Sequence, residues 1–287
     1  MTGYDETRCA FYRVPTKGVL ARYLQSSKAK LLELSKGDFY EEWSKPKKGG
    51  GVRRIEAPRP DLKRVQTRIA DLLQRVAPPD FLFSPVRGRS YVDNAAIHRG
   101  NRAFHTLDIS DFYPNCTANR VAWYFGQRLQ CAPDVTAQLV GLTTRKGRLP
   151  QGSPCSPILA YFSYVDMWMQ IERLARDAGC TLSVYVDDLT ISGELVPGEI
   201  VWQVRQTIRR FGHASHPKKE RRIKDGPIEV TGVVVRDGAL LLPNRQHKRL
   251  HEVKRELVST KSPERRAVLG RQLRGREAQA RQVLSKN

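Results

Sequence analysis

The sequence predicts an α+β fold in which antiparallel strands carry acidic side chains and helices cover one face of the sheet. Two strand-forming stretches, residues 103–109 and 182–186, each run into aspartate, and the second is followed at once by another strand-former at 189–193. Segments of helical periodicity alternate with these strands, without internal repeats. In chain order, a helix is expected over 19–34, a Lys- and Gly-rich loop over 46–51 and a short strand over 52–58. Leu62, Val65, Ile69, Leu72, Leu73 and Val76 then share one helical face, which Pro78-Pro79 ends. After the strand at 103–109, helices are expected over 117–129, 133–142 and 157–177. The strands at 182–186 and 189–193 read as a hairpin with a tight turn from Val186 to Leu189. A helix over 198–211, with Val201, Val204, Ile208 and Phe211 on one face, precedes a strand over 229–235.

The hairpin would lift Asp187 and Asp188 to the tip of a rigid support. Two unpaired anions held that close raise one another's pKa unless a cation neutralises them. Mg²⁺ fits, being a hard ion usually held by one or two carboxylates together with substrate phosphates. Two such ions about 4 Å apart can stabilise both the attacking and the leaving oxygen of a phosphoryl transfer. A third carboxylate is then expected, and Asp108, at the end of the strand over 103–109, supplies it. An isolated Asp-Asp is ordinarily a solvated turn; two acid-tipped strands in a chain this basic argue against that here.

Lys and Arg outnumber Asp and Glu by 50 to 29, a net charge of +21, which points to a polyanionic partner. From Arg245 onward there are 13 basic and 4 acidic residues. Arg265, Arg266, Arg271, Arg274, Arg276 and Arg281 recur there among helix-compatible residues, as a solvated face or as a phosphate-tracking surface. At 287 residues the chain can bury a substantial core and divide into two or three subdomains. No apolar run approaches the roughly 20 residues of a membrane span, and the first residues lack the pattern of a signal peptide, so a soluble, cytoplasmic protein is expected. Cys9, Cys116, Cys131, Cys155 and Cys180 are odd in number and form no Cys-x-x-Cys pair, so they indicate neither a disulfide framework nor a zinc site.

Several motifs, in order, resemble those of reverse transcriptases. Leu107-Asp108-Ile109-Ser110-Asp111-Phe112-Tyr113-Pro114 resembles the first palm motif of that family, Leu149-Pro150-Gln151-Gly152-Ser153-Pro154-Cys155-Ser156-Pro157 the second, and Tyr185-Val186-Asp187-Asp188 the third. His216-Pro217-Lys218-Lys219 and Glu229-Val230-Thr231-Gly232 resemble the next two. Within the family, Asn94-Ala95-Ala96-Ile97-His98 and Val230-Thr231-Gly232 resemble elements of retron reverse transcriptases. The chain departs from the pattern at Val186, where retron enzymes more often carry Ala, and at Glu220, where the family commonly has Thr. The β-branched Val186 is expected to suit the end of a strand.

The resemblance implies a right-hand polymerase, with an N-terminal helix and fingers over 1–102, a palm of antiparallel sheet backed by helices over 103–240, and a basic helical thumb over 241–287. It implies that Asp108, Asp187 and Asp188 are catalytic and, with the backbone of Ile109, hold two Mg²⁺ ions. Asp111 is either a fourth ligand or a cap of the next segment. Tyr113 would lie beneath the sugar of the incoming nucleotide and exclude a 2′-hydroxyl. Gln151 and Gly152, in a turn before a helix, would approach the nucleotide closely, and Arg53, Lys63 and Lys219 would contact its phosphates. Asn94 and His98, one helical turn apart, would contact structured RNA or else pack fingers against palm; Arg265, Arg266, Arg271 and Arg274 would bind RNA. The implied activity is RNA-templated DNA synthesis from dNTPs, primed from a 2′-hydroxyl of a cognate non-coding RNA to yield branched msDNA, in antiphage defence with a separate effector protein. A group II intron-like enzyme and a non-catalytic RNA-binding scaffold are the alternatives.

Overall fold

The computed structural model describes residues 3–46 and 50–286. Two short helices, α1 (Lys17–Tyr23) and α2 (Lys28–Lys36), stand where the periodicity predicts one. The chain breaks at Gln25, with φ +52°, and Ser27 starts α2 afresh by accepting a hydrogen bond from the Lys30 amide. An unpredicted strand, β1 (Tyr40–Pro46), pairs antiparallel with β2 (Val52–Pro58). Residues 47–49 of the expected loop between them lie outside the described residues. Helix α3 (Pro60–Leu73) carries Pro at its first turn and buries the predicted apolar face. After β3 (Leu82–Ser84), a capping box of Ser90 and Asp93 opens α4 (Tyr91–Ala96), which leads to β4 (Ala103–Asp108).

Helices α5 (Phe112–Asn115) and α6 (Ala118–Trp123) follow; α6 widens into a π-helical turn over Tyr124–Arg128 before α7 (Pro133–Thr143). The single helix expected at 157–177 is two, α8 (Ser156–Phe162) and α9 (Val165–Asp177). Tyr164 divides them at φ −126° and ψ 23°, its ring buried and its hydroxyl donating to the Asn115 carbonyl, so a tertiary anchor overrides helical propensity. Strands β5 (Thr181–Tyr185) and β6 (Asp188–Gly193) form the expected hairpin, with a turn of only Val186 and Asp187 because Tyr185 already pairs with Asp188. Then come α10 (Gly198–Arg210), β7 (Arg221–Lys224), β8 (Ile228–Val230), β9 (Val233–Arg236), β10 (Ala239–Leu241), α11 (Asn244–Ser259) and α12 (Pro263–Leu284). The strand expected at 229–235 is divided by Thr231 and Gly232, whose φ values of +46° and +91° are those of a tight hairpin turn.

The main sheet has the order β3-β5-β6-β4-β7 and is antiparallel except between β3 and β5. Alternation along its central strands separates two faces. Leu107, Leu182, Val184, Leu189 and Ile191 enter the larger core, on which α9 and α10 pack. The opposite face presents Phe104, Thr106, Ser183, Thr190 and Ser192, together with Asp108 and Asp188. There Phe104 joins a second, smaller core made by Val92 and Ala95 of α4, the three-stranded sheet β10-β9-β8 and Val283 of α12.

Candidate active site

Asp108, the last residue of β4, and Asp188, the first of β6, lie directly opposite one another in the β4–β6 register. The Ile109 amide donates to the Asp187 carbonyl at 2.9 Å, which ties the end of β4 to the hairpin tip. Asp108 and the adjacent pair Asp187-Asp188, far from it in the chain, therefore converge at one end of the sheet. Val186 does not end a strand as expected: it occupies the left-handed region at φ +63°, a conformation that costs a β-branched residue on the order of 1–3 kcal/mol.

Burial, and then the neighbouring Asp108, raises the pKa of Asp187. Asp188 is pushed up to about 7 by desolvation, Asp187 and Asp108, in that order, although its side chain keeps one side open to water. Lys219 and Arg53 oppose the shift at Asp187. The Lys219 ammonium bridges both oxygens of Asp108, at 2.9 and 2.8 Å, and this ion pair raises its own pKa.

The segment carrying Lys219 is pinned along the end of β4, with the Ser110 amide donating to Ala214 at 2.8 Å and the His216 amide to Asp108 at 2.7 Å. Glu220 explains its departure from the commoner Thr. Its carboxylate accepts from Arg205 of α10, from the Ser215 hydroxyl at 2.6 Å and from His105 of β4 at 3.4 Å, fixing the start of β7.

The donor set is all carboxylate oxygen, the chemistry of a hard divalent cation. Among the described residues no three side chains already stand in ligating geometry, and the Lys219 ammonium occupies the Asp108 oxygens as a stand-in cation. The elevation of Asp187 by burial and Asp108, and of Asp188 by burial, Asp187 and Asp108, is what bound cations would relieve, so the residues fit the group. The backbone of Ile109 lies beside Asp187, its side chain buried. Asp111 stands at the start of α5 at φ +44°, without a side-chain cap hydrogen bond.

Around the acids, Tyr113 packs against Phe112 at 5.9 Å, and burial followed by the charge of Asp187 raises its phenol pKa. Arg53 acts on both Asp187 and Tyr113 from β2. Gln151 and Gly152 reach the same strand: the Glu56 amide donates to the Gln151 carbonyl at 2.8 Å, and a Cβ on Gly152, at φ +135°, would lie 2.9 Å from the Glu56 carbonyl oxygen. Lys63 stands exposed on the first turn of α3. An open cleft of about 500 Å³ runs from Asp108 and Asp188 to the Thr231-Gly232 turn, rimmed by Lys218, Lys219, Arg221 and Arg245.

The RNA contacts expected of Asn94 and His98 are corrected by burial, at 1% and 0% exposure. His98 lies under the hairpin, its Nδ1 2.6 Å from the Ser192 hydroxyl and its Nε2 2.8 Å from that of Ser183, and desolvation lowers its pKa to about 3. Asn94 Nδ2 donates to Thr231 Oγ1 at 3.2 Å, and that hydroxyl donates to the Tyr91 carbonyl at 3.0 Å. The two stretches that resemble retron enzymes thus touch one another. Arg265, Arg266, Arg271 and Arg274 are exposed on α12. Arg265 binds Glu256 of α11, and Arg266 donates to the Thr260 carbonyl at 3.1 Å. Sequence reasoning missed Glu56 and Arg145, which form a buried ion pair beside the Gln151-Gly152 turn. An acid between Ile55 and Ala57, on a strand leading into Pro58, was the available signal.

The family model described as reverse transcriptase (RNA-dependent DNA polymerase) matches residues 45–235. The chain is 29% identical over 236 residues to the retron Se72 reverse transcriptase of Salmonella heidelberg, covering 77% of this chain and 60% of that protein. It is 33% identical over 222 residues to the retron Mx65 reverse transcriptase of Myxococcus xanthus, covering 68% and 51% respectively. It therefore spans about half to three-fifths of the length of these relatives. Among solved structures, apo telomerase from Candida Tropicalis superposes with a TM-score of 0.52 at 11% identity, covering 72% of this chain and 48% of the other; at that identity the likeness is one of fold. Among the described residues, no helix is long and apolar enough to cross a membrane.

Proposed function

From the premise that this chain belongs to the reverse transcriptase family, is of the retron type and has the α+β polymerase fold, we propose that it copies RNA into DNA at the Asp108, Asp187 and Asp188 site. One observation carries the proposal: Asp108 and Asp188 face each other across β4 and β6 and open on a cleft with a basic rim, and Asp187 adjoins them at the tip. Asp108, Asp187, Asp188 and the Ile109 backbone would hold two Mg²⁺ ions, which when bound activate a primer hydroxyl and neutralise the triphosphate. Tyr113 excludes a ribose 2′-hydroxyl, the Gln151-Gly152 turn admits the nucleotide closely, and Arg53 and Lys219 supply positive charge to the phosphates. Lys219, already paired with Asp108, is the cation nearest the chemistry. Lys63, exposed on α3, is a peripheral phosphate contact at most.

Fingers over 1–102, palm over 103–240 and a thumb over 241–287 complete the reading. The thumb's exposed Arg265, Arg266, Arg271 and Arg274 track the sugar-phosphate backbone of a folded RNA. Similarity to retron enzymes supports priming from a 2′-hydroxyl of a cognate non-coding RNA to give msDNA, in an antiphage system with a separate effector, in the cytoplasm. Primer extension tests the chemistry. Asp187→Asn and Asp188→Asn should each abolish synthesis while RNA affinity is kept; a parent protein that binds RNA but makes no DNA with any divalent metal refutes it. Sequencing the copurifying nucleic acid tests the retron assignment, which requires one short DNA joined to one RNA and fails on a mixed cellular population.

A further inference from the structure

We infer that Glu56 and Arg145 are positioning residues that clamp β2 to the Gln151-Gly152 turn and thereby fix the nucleotide pocket; the inference rests on the polymerase reading above. Glu56 is 2% exposed on a strand whose first three residues are exposed. Its carboxylate accepts from Arg145 Nη1 at 3.2 Å and from Arg148 Nη2 at 3.3 Å. Its main chain holds the turn from the other side, through the hydrogen bond its amide donates to the Gln151 carbonyl and the close approach of its own carbonyl to Gly152. One residue thus grips the turn by its backbone and, by its side chain, the segment that leads into it.

The clamp is anchored at several further points. Arg145 makes a forked pair with Asp38 at 2.8 and 2.6 Å, reaches Glu42 at 2.5 Å, and lies 5.0 Å over the Tyr40 ring. The Tyr40 hydroxyl accepts from Gln66 Nε2 at 2.7 Å, and Gln66 Oε1 accepts from the Ser153 hydroxyl at 2.6 Å. The turn is therefore held on both flanks, at Arg148 and at Ser153, by groups that also bind the β1–β2 hairpin. Arg53 lies three residues before Glu56 on the same strand and acts on Asp187. Any slackening of the clamp changes the relation between that cation, the turn and the acids.

Buried ion pairs are weak sources of net stability compared with apolar packing, and what a planar guanidinium between carboxylates provides is direction. That is the requirement of a pocket that must take up the incoming nucleotide in a single pose.

Glu56→Gln and Arg145→Lys test the clamp; the lysine keeps the charge and loses the fork. On poly(rA) primed with oligo(dT), each should raise the KM for dTTP on the order of tenfold while kcat and template affinity stay within about twofold. Hydrogen exchange of the free protein should quicken at residues 151–153 and stay unchanged in α9. A fall in kcat or in active fraction with KM unchanged overturns the inference, because that is the signature of a residue that only stabilises the fold. The exchange measurement needs no turnover, so a parent without synthesis would refute the proposed function while unaltered exchange at the turn would refute the clamp.

Discussion

His98 gives the most quantitative prediction, because its ring is fully buried between two hydroxyls on the strands that carry the acids. Its pKa is lowered by burial from 6.5 to about 3, so the folded protein keeps it neutral where the unfolded chain protonates it. Between these values the unfolded state binds more protons, and stability must fall as the pH falls. The stabilisation is complete above the unfolded value of 6.5 and is lost progressively as the pH drops toward 3. Between about pH 7.5 and about pH 5.5 the loss from this one group is RT ln 11 less RT ln 1.1, or about 1.4 kcal/mol. Urea unfolding followed by tryptophan fluorescence, at both pH values, should show that loss in the parent and not in His98→Gln. His213, lowered to about 4 by burial, titrates in both proteins and cancels from the comparison. Equal pH dependence in the two proteins would refute the reasoning.

Three further outcomes are expected. Gly152→Ala should leave the fold intact but cut incorporation at low dNTP by more than about tenfold, since its Cβ would sit 2.9 Å from the Glu56 carbonyl oxygen at a strained φ of +135°; a steady-state dNTP titration checks it. Tyr113→Val should lower the preference for dNTP over NTP by on the order of tenfold, measured by competing the two on one template, with unchanged discrimination counting against a steric gate. Asn94→Ala should destabilise the protein by roughly 1–2 kcal/mol in urea through loss of its bond to Thr231, and leave the RNA affinity of the folded protein as it was; weaker RNA binding without destabilisation would restore the contact role.

Much of the site was legible because it depends on local pattern. Asp108, Asp187 and Asp188 announce themselves as acids at the ends of apolar strands, and a period of two fixes the face that Asp108 and Asp188 share. The α3 face, the hairpin and the basic character of α12 were likewise readable from periodicity and charge. Helix boundaries were not, since Ser27 and Tyr164 interrupt periodic stretches through a cap and a tertiary hydrogen bond. The left-handed turn at Val186 defied its strand propensity, because antiparallel pairing of Tyr185 with Asp188 leaves only two residues to close the hairpin. For Asn94 and His98 the spacing left RNA contact and internal packing both open, and only the packing of α4 and the turn after it on the sheet says that both side chains point inward. Glu56 and Arg145 are 89 residues apart, and no local pattern joins them.

The smaller core has a practical corollary for protein engineering. Because α4, the sheet β10-β9-β8 and the last turn of α12 share one apolar cluster with Phe104 of β4, they form a single cassette dispersed over the chain. A chimera that imports one of these pieces from a relative while retaining the others would mate mismatched surfaces on the sheet face that leads to Asp108 and Asp188, whereas exchanging all of them together with Phe104 would carry the interface across whole.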